Sequence, residues 1–577
     1  MDNLKDLFID PITLEILQAN KEPTTFIDLL LESNRLLATD DHPDDLDMRY
    51  MRIKGYERIA GILYNTLTRT IRVYKLKNNN GKGKIELSPS EVFKIISADS
   101  ANLLVDDVNP VQILKQTEQV TFVGEGGRSK DVMNKRSRRY HPRDMGIISE
   151  ATVDSGDVGI NTYLSGNPLF NSTRGTVNEY HFNKDKATSL LSTSALLSPA
   201  SVHDDPKRVN MVNIQQSHTV VAEGYHQPYI RTGYEYILPQ RLKNNFSYSA
   251  DEDGEVISIN DKGIIVKYKS NKRLGIKLGR SFGRSEGTYY PQSIVTLLKV
   301  GDSFSKNDIL AYNDGFFEED ILNPGTIIFK NNMLVKTALY ESQQTWEDSS
   351  AISKNTSKKL KTKVTKVKSI VLEFSQGLRN SVKVGQKVNP LDTLVVIEDQ
   401  VTSKSGLFTD EAINILKQIS GTQPKSKIDG VVEKIEVFYN GDKEDMSPGL
   451  LELVNYSDKQ LALECKSTNK PIVTGKVNSE YRVEGVPLDI DHAEIQYYIT
   501  TELDAGVGDK AVFANQLKSV IGEVMEYDMT TEDGTEIDAV FGQKSIDARI
   551  VLSPTIMGTT ATLLRLVAKE AVKLYNS

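Results

Sequence analysis

Two lysines, Lys510 and Lys518, frame the stretch Gly508-Asp509-Lys510-Ala511-Val512-Phe513-Ala514-Asn515-Gln516-Leu517-Lys518. A lysine ammonium is a compact positive charge on a long stem, able to meet a phosphate or a negatively charged transition state. Other residues of matching chemistry lie far away in the chain. Trp346-Glu347-Asp348-Ser349 sets two adjacent carboxylates beside the one tryptophan, and paired carboxylates can hold a metal or orient water. His203-Asp204-Asp205-Pro206-Lys207-Arg208 offers a guanidinium suited to forked phosphate recognition. It is a poor metal site, because adjacent side chains do not converge easily on one ion and no second His-rich segment accompanies it. Lys135-Arg136-Ser137-Arg138-Arg139-Tyr140-His141-Pro142-Arg143 is the densest basic run. It follows the glycine-rich Gly124-Glu125-Gly126-Gly127-Arg128-Ser129-Lys130, an arrangement that suits a polyanion. The Gly-Lys-[Ser/Thr] ending of a P-loop is absent. Taken singly, each feature also has a bland reading: surface lysines, a surface turn, a capped helix start, a solvated charged face.

The surrounding pattern predicts what must position these residues. Glu494 to Thr501 alternates as a strand and Val520 to Met525 reads as another, so a Gly-Asp turn delivers Lys510 at a strand start and a second turn delivers Lys518. Asp204-Asp205 before Pro206 starts a helix, with Asp as cap and Pro in the first turn, holding Arg208 near its N-terminus. Helices are expected over Thr25–Glu32, over Gly55–Tyr74 with Arg58, Arg69 and Arg72 between its apolar positions, and over Pro89–Ser97. Thr409 to Lys417 reads as a capped helix in a loop-rich zone. Asp106-Asp107-Val108-Asn109-Pro110 is a turn signal, and Lys77 to Lys84 a polar boundary loop.

From about 235 to 480 the texture changes to strands and tight turns. Asp253–Ile259 and Gly263–Tyr268 read as a hairpin, and Asp429-Gly430-Val431-Val432-Glu433-Lys434-Ile435 repeats its first half. Lys299-Val300-Gly301-Asp302 with Asp308-Ile309-Leu310 resembles Lys383-Val384-Gly385-Gln386 with Asp392-Thr393-Leu394. The Gly-to-Asp offset is seven in both (308 − 301 and 392 − 385). This predicts related small barrel or sandwich modules. A lipoyl or biotinyl carrier domain has a similar texture, but no Met-Lys-Met tip is present.

A chain of 577 residues and 64.4 kDa exceeds one hydrophobic core, so several domains are expected. The net charge of −8 excludes nucleic-acid binding through overall charge; a local basic face or a channel completed by partners would be needed. One cysteine, Cys465, excludes an intrachain disulfide framework and a multi-cysteine zinc site. The N-terminus has no signal pattern and no apolar run is long enough to span a bilayer. A reducing, cytoplasmic setting without a membrane partner is the default.

Eight segments, in order, resemble the β subunit of multisubunit RNA polymerases. Asp44-Asp45-Leu46-Asp47 with Arg49, Arg52 and Lys54 resembles the family's Asp-Asp-Ile-Asp stretch and following arginines. Asn109-Pro110 through Gly127 resembles the rifampicin-pocket segment and the fork loop. His141-Pro142-Arg143-Asp144-Met145-Gly146 is similar to His-Pro-x-x-Tyr-Gly. His203 to Arg208 is similar to His-Asp-Asp-Ala-Asn-Arg. Gly287 to Asp302 resembles the Asn-Gln-Gly-Thr and Lys-Val-Gly-Asp segment. Trp346 to Ser349 is similar to Phe-Glu-Asp-Ser. Gly508-Asp509-Lys510 with Lys518 is similar to Gly-Asp-Lys and the second lysine of that loop. Glu532-Asp533-Gly534-Thr535 with Ile537-Asp538 resembles Glu-Asp-Gly-Thr-Pro-Val-Asp.

The resemblance implies a multidomain α+β fold: mixed lobe and fork domains, then a double-psi β-barrel with inserted barrel-sandwich and flap modules. The implied segments are 1–75 lobe- or protrusion-like, 76–235 fork and rifampicin-pocket-like, 236–350 barrel-sandwich and first part of the barrel, 351–470 flap-like, and 471–577 the rest of the barrel with a C-terminal helix. The chain resembles the C-terminal piece of a split β subunit, as in giant tailed bacteriophages. The implied activity is DNA-templated RNA synthesis, exerted only within a complex. Partners would be an N-terminal β fragment, β′-type fragments, a promoter-specificity factor, template DNA, the RNA transcript and nucleoside triphosphates, in the infected host's cytoplasm or packaged in the virion. The resemblance puts Lys510 and Lys518 near the RNA 3′ end and nucleotide phosphates, and Arg208 on the triphosphate. Glu347 and Asp348 would be outer-shell groups near a Mg²⁺ held mainly by the β′-type partner. Arg52, Asp106, Gln116, Lys130 and Arg138 would contact nucleic acid. The flap-like zone would dock the specificity factor.

The departures carry expectations too. The lysine loop lacks the family's Arg-His-Gly-Asn-Lys-Gly core. Thr560 aligns where the family has a triphosphate-touching arginine, so that grip would be absent or moved, with Arg565 the candidate. Glu-Thr-Pro-Glu-Gly is loosened to Glu150-Ala151-Thr152-Val153-Asp154-Ser155-Gly156. Gln116 and Thr121 replace the usual His and Ser, which implies resistance to rifampicin. Two rival readings are a non-catalytic barrel-sandwich scaffold or carrier, and a single-chain RNA-copying enzyme. The second needs an Asp-x-Asp-x-Asp motif, and the nearest candidate, Asp251-Glu252-Asp253-Gly254, reads better as a hairpin turn.

Overall fold

The computed structural model describes residues 9, 11–19, 21–38, 55–77, 85–99, 102–123, 129–171, 177–330, 332–398 and 422–577. The Asp44–Lys54 stretch with Arg52, the glycine-rich 124–128 loop and the expected 409–417 helix lie outside these residues. The chain divides into two compact units, residues 1–105, 114–217 and 551–553 in one, and 106–113, 218–550 and 554–577 in the other.

In the first unit the periodic segments fold as helices at Phe26–Ala38, Gly55–Lys77 and Pro89–Ser97. The last begins at a Ser88 cap with Pro89 in the first turn, where proline's missing N–H leaves no bond unmade. A three-stranded antiparallel sheet runs in the order Gln119–Thr121, Asn161–Leu164, Ile148–Thr152. Against it lies the helix Pro206–Ser217, whose residue Asn210 accepts from the Thr152 amide. The expected cap forms at Asp205, which accepts from the Lys207 amide at 2.9 Å. Asp204 instead caps the start of the C-terminal helix Ser553–Asn576, accepting from the Leu552 and Ser553 amides and the Ser553 hydroxyl.

The second unit is built on sheets. The Gly254–Asn260 and Gly263–Tyr268 strands form the expected hairpin, extended by Arg273–Lys277. The largest sheet has eight strands. Its spine is Thr362–Glu373 against His492–Leu503, antiparallel along their whole lengths, with Gly430–Asn440 on the far side of the latter. One core joins Leu372, Phe374, Leu394, Val432, Val437, Ile495 and Tyr497 to Leu450 and Val454 of the helix Pro448–Ser467. A five-stranded sheet runs Thr337–Leu339, Ala539–Phe541, Ser349–Ser353, Leu517–Met525, Lys510–Phe513, with parallel and antiparallel pairs. The architecture is thus mixed α+β and multidomain. The double-psi β-barrel expected in this region is not closed among the described residues. The five-stranded sheet ends in two short edge strands, three and four residues long, which do not pair with each other.

The repeated Lys-Val-Gly segments adopt one backbone design twice. The Gly301 amide donates to Val256 O and the Val256 amide to Asp302 O; likewise the Gly385 amide donates to Val432 O and the Val432 amide to Gln386 O. Asn307 and Asp308 exchange two bonds with Ala250 as Leu391 and Asp392 do with Ser426. Gly301 and Gly385 sit at φ +90° and +88°, where a side chain is strained. Leu310 and Leu394 are both fully buried. The Gln386 side chain accepts the Lys383 amide just as Asp302 accepts that of Lys299.

A demanding polar site in this unit is Asp320, whose side chain is wholly buried and pairs at 3.0 Å with the mostly buried Arg231. Burial opposes its charge. Hydrogen bonds from the Tyr236 hydroxyl, the Leu322 amide, Arg231 and Asn323 outweigh that and bring its carboxyl down to about 2. A carboxylate depressed in the folded state stabilises it fully above the unfolded value of about 3.9, and the contribution fades as pH falls through the folded value. Asp320→Ala is expected to cost roughly 3–5 kcal/mol by leaving Arg231 uncompensated. The stability gap between wild type and Asp320→Asn should shrink as pH falls from about 4 to about 2. Urea unfolding at several pH values tests this; a constant gap across that window would refute it.

Candidate functional site

The Gly508–Lys518 stretch folds as a hairpin on the edge of the five-stranded sheet. Gly508, at φ +94°, donates to Ile521 O, while Asp509 folds its carboxylate back onto the Gly506 amide at 2.8 Å. Lys510 is the first residue of the edge strand, as its sequence predicts. The tip carries Ala514 and Asn515 at φ +49° and +66°, the left-handed geometry that matches strand twist in hairpins. Register sets Lys510 opposite Val520 and Val512 opposite Lys518. Leu517, Ser519 and Ile521 are each 1% exposed and line the inner face, so Lys518 and Val520 point outward. Lys510, opposite Val520, shares that outer face. The two lysines are therefore diagonal neighbours, with Cα atoms about 7–8 Å apart. Among the described residues neither ammonium has an ion pair.

The Ser349–Ser353 strand lies parallel to Leu517–Met525 and sets Ser349 beside Val520. Ser349, Val520 and Lys510 thus form one row across three strands. Asp348 enters that row with its carbonyl accepting from the Val520 amide and the Ser519 hydroxyl, at 2.9 and 2.7 Å. Glu347 has φ +53° and its carbonyl accepts from Ser545 Oγ at 2.6 Å. The Asp348 carboxylate pairs with the Arg549 guanidinium, which is held from its other side by Ser545 O at 2.9 Å. Arg549 escaped the sequence reading, which sought a displaced arginine only beyond Pro554. The available signal was that Arg549 is the one arginine between Asp538 and Pro554. Arg565 bonds Thr535 Oγ1 at 3.2 Å, on the exposed side of the C-terminal helix, where Thr560 is exposed as well. Among the described residues no three His, Cys, Asp or Glu side chains gather around a possible metal position. Two exposed carboxylates, one already paired with a guanidinium, do not fit a direct Mg²⁺ site on this chain.

The remaining candidates serve local structure. Asp106 accepts from Ser285 Oγ at 3.0 Å and from the Val108 amide. Beside it Asp107, raised by burial, accepts from the Arg284 amide, and Gly283 packs so closely that an added Cβ would lie 2.5 Å from Asp107 O. In the first unit, Gln116 donates to Leu104 O at 3.2 Å. Arg208 occupies the first turn of its helix, its amide bonded to Asp205 O. Lys130 pairs with Asp157. Arg138 is spent on backbone carbonyls, Met133 O at 3.2 Å and Gly156 O at 2.9 Å, with Gly159 at φ +73° pressed against the Arg138 carbonyl. The Asn134 side chain caps the same turn by accepting from Arg136 and Ser137 amides. This fixed turn presents Lys135, Arg136 and Arg139 to solvent, without an ion pair among the described residues. Buried Lys115 was also unforeseen: it donates to Ser217 Oγ, lies 5.3 Å from the Tyr163 ring, and is lowered by burial to about 8.

The site thus presents an outward pair of unneutralised lysines and, on the neighbouring segment, a carboxylate–guanidinium pair. The known proteins that this chain matches are of one class. A family model described as "Bacteriophage RNA polymerase" matches residues 1–131. The chain is 20% identical over 553 residues to the DNA-directed RNA polymerase subunit beta of Euglena longa, covering 80% of this chain and 48% of that protein. It is 22% identical over 427 residues to the subunit of the same name from Thermus aquaticus, covering 69% of this chain and 36% of that one. The chain thus spans less than half the length of either relative. No helix among the described residues is long and apolar enough to cross a membrane.

The basic turn yields a quantitative expectation. Removing one cation that meets a phosphate of a single strand flattens the slope of log K against log salt by about 0.7. Replacing Lys135, Arg136 and Arg139 together with alanine should therefore reduce that slope by about 2 for single-stranded RNA. Binding measured over a salt series checks it; an unchanged slope would show that this turn meets no phosphate.

Proposed function

We propose that this chain is a β-type subunit of a DNA-directed RNA polymerase, the C-terminal portion of a split β subunit of the giant tailed-bacteriophage type. The observation that carries the proposal is the outward, unneutralised pair Lys510 and Lys518 in the sheet whose Ser349–Ser353 strand directly follows Asp348, the partner of Arg549. The similarity to β subunits over most of the chain supports it. Lys510 and Lys518 offset the negative charge that grows on the transferring phosphoryl group and the triphosphate. Their strands are hydrogen-bonded to each other and to the Ser349–Ser353 strand and packed through Leu517 and Ile521 beneath, so the charges are already aimed before nucleotide arrives. Arg549 takes the role of the arginine displaced from position 560, with Arg208 on the triphosphate and Arg565 as a second candidate. Asp348 holds the Arg549 guanidinium in a fixed orientation, and Glu347 lies next to it.

Mg²⁺ supplies the Lewis acid when the complex is assembled, and the β′-type partner holds it. The full centre, including the family's double-psi barrels, needs that partner, so the chain is inactive alone. An N-terminal β fragment, a promoter-specificity factor at the flap-like zone, template DNA and the RNA transcript complete the assembly. It works in the infected host's cytoplasm or from the virion. Arg52, Asp106, Gln116, Lys130 and Arg138 border the nucleic acid, with Lys135, Arg136 and Arg139 meeting its phosphates.

Transcription by the reconstituted complex with Lys510→Ala should fall about 30- to 1000-fold with assembly intact, the effect of removing one preorganised charge. Arg549→Ala should raise the KM for nucleoside triphosphate, and Arg549→Lys should restore it only in part, because an ammonium cannot fork. Unchanged nucleotide addition by the Lys510 variant would sink the assignment and favour a scaffold role. The assembled enzyme should also continue transcribing at micromolar rifampicin; inhibition there would overturn the reading of Gln116 and Thr121.

A further inference from the structure

We propose that Trp346 is a stacking platform for a nucleobase, working with the cations of the neighbouring strands on the nucleotide's phosphates. The inference rests on the polymerase reading only for the source of that base. Trp346 is 74% exposed. Its backbone is nevertheless held on both sides. Thr345 is buried, accepts from the Ser342 amide and donates to Tyr340 O at 2.8 Å. The Ser349 amide closes a turn on Trp346 O at 3.1 Å, and Ser545 Oγ anchors Glu347 O. An exposed indole on a held backbone leaves apolar surface in water, which folding alone disfavours.

Its sequence neighbours Glu347 and Asp348 are exposed and charged, and Arg549 grips the second of them. A protein-binding hot spot is normally seated in a desolvated, charge-depleted centre. Beyond these carboxylates the sheet entered at Ser349 carries Lys510 and Lys518 outward, and an exposed aromatic near outward cations is the arrangement that stacks bases and follows phosphates. Three residues beyond Trp346 begins the row Ser349, Val520, Lys510. From Ser349 to Lys510 that row spans two strand spacings, about 10 Å. The base can come from an incoming nucleoside triphosphate or from the RNA 3′ end; the ring is indifferent, because every base has a π-face.

Because the chain has one tryptophan, fluorotryptophan incorporation gives a single fluorine resonance, readable in the assembled complex with unlabelled partners. Adding nucleoside triphosphate to complexes with a terminated RNA 3′ end, or adding RNA primer without triphosphate, should shift that resonance in one arm or both, and the responding arm identifies the source. In transcription, Trp346→Ala should raise the KM for nucleotide, or speed loss of the RNA primer, by about 5- to 100-fold with kcat within about twofold. Trp346→Phe should restore most of it. The proposal is overturned if the resonance moves on subunit assembly and then ignores both nucleotide and RNA, which would make Trp346 a protein contact. It is equally overturned if Trp346→Ala leaves both KM and primer retention unchanged in an active complex. Lack of polymerisation by the wild-type complex would count against the polymerase reading, and the resonance would still decide the stacking with RNA.

Discussion

The parallel pairing of Ser349–Ser353 with Leu517–Met525 is the interaction on which the candidate centre depends. Asp348 and Ser519, bonded through Asp348 O, are 171 positions apart. Closing a flexible loop of that length costs about 4–5 kcal/mol in chain entropy. The intervening chain reduces that cost by folding on its own account. It contributes most of the long sheet spine and its core, so the ends of the five-stranded sheet are joined by folded structure rather than by coil. The carboxylate segment and the lysine hairpin are then neighbours because two sheets are complete, and no side-chain affinity between them is required.

The same pairing explains why the charges stay where they are useful. An acidic chain with net charge −8 would ordinarily neutralise its lysines locally, and many here are neutralised: Lys361 and Lys363 on Glu502, Lys443 on Asp458, Lys476 on Asp442. Lys510 and Lys518 have Val520 and Val512 as their cross-strand partners, which offer no carboxylate, and the nearby Asp348 is taken by Arg549. Lys135, Arg136 and Arg139 escape neutralisation by a different route, since Arg138 and Lys130 take the nearby carbonyls and carboxylate. Cations left bare on rigid backbone repel one another in the free chain, and a polyanion relieves that.

Local features were legible in the sequence. The Pro89–Ser97 helix, the Asp205 cap, the 254–268 hairpin and the strand start at Lys510 follow from caps, turns and alternation, which act over a few residues. The Lys-Val-Gly repeat was legible because its glycines need positive φ and its leucines need burial, both strong constraints on residue type. Side-chain partners were not. Whether Arg138 faces a phosphate or Gly156 O depends on a segment eighteen positions away. The pairing of Arg549 with Asp348 depends on one 201 positions away. Asp204, adjacent to the Asp205 cap, looked like part of the same cap, yet it serves a helix 349 positions later. Composition and spacing name the chemistry available; tertiary structure decides which groups are consumed internally and which remain for a ligand.

Gly522 shows how narrowly the arrangement is set. A Cβ there would lie 2.3 Å from Ser349 Oγ, so the present Ser349 rotamer is possible because residue 522 has no side chain. Next to it the register shifts: Ser350 pairs with Ile521 but Ala351 with Glu523. Beyond the shift the sheet is buried on both faces: Ala351 and Met525 join one core cluster, while Ile352 joins Ile521 in another. A slip of one residue would exchange the faces, burying Lys518 and exposing Ser519 and Ile521. Desolvating an unpaired ammonium and exposing the apolar Ile521 are both costly, so the register that shows the lysines to solvent is also the one the core enforces. The outward lysine pair is thus a by-product of packing beneath the sheet, and it can remain unneutralised without loss of fold.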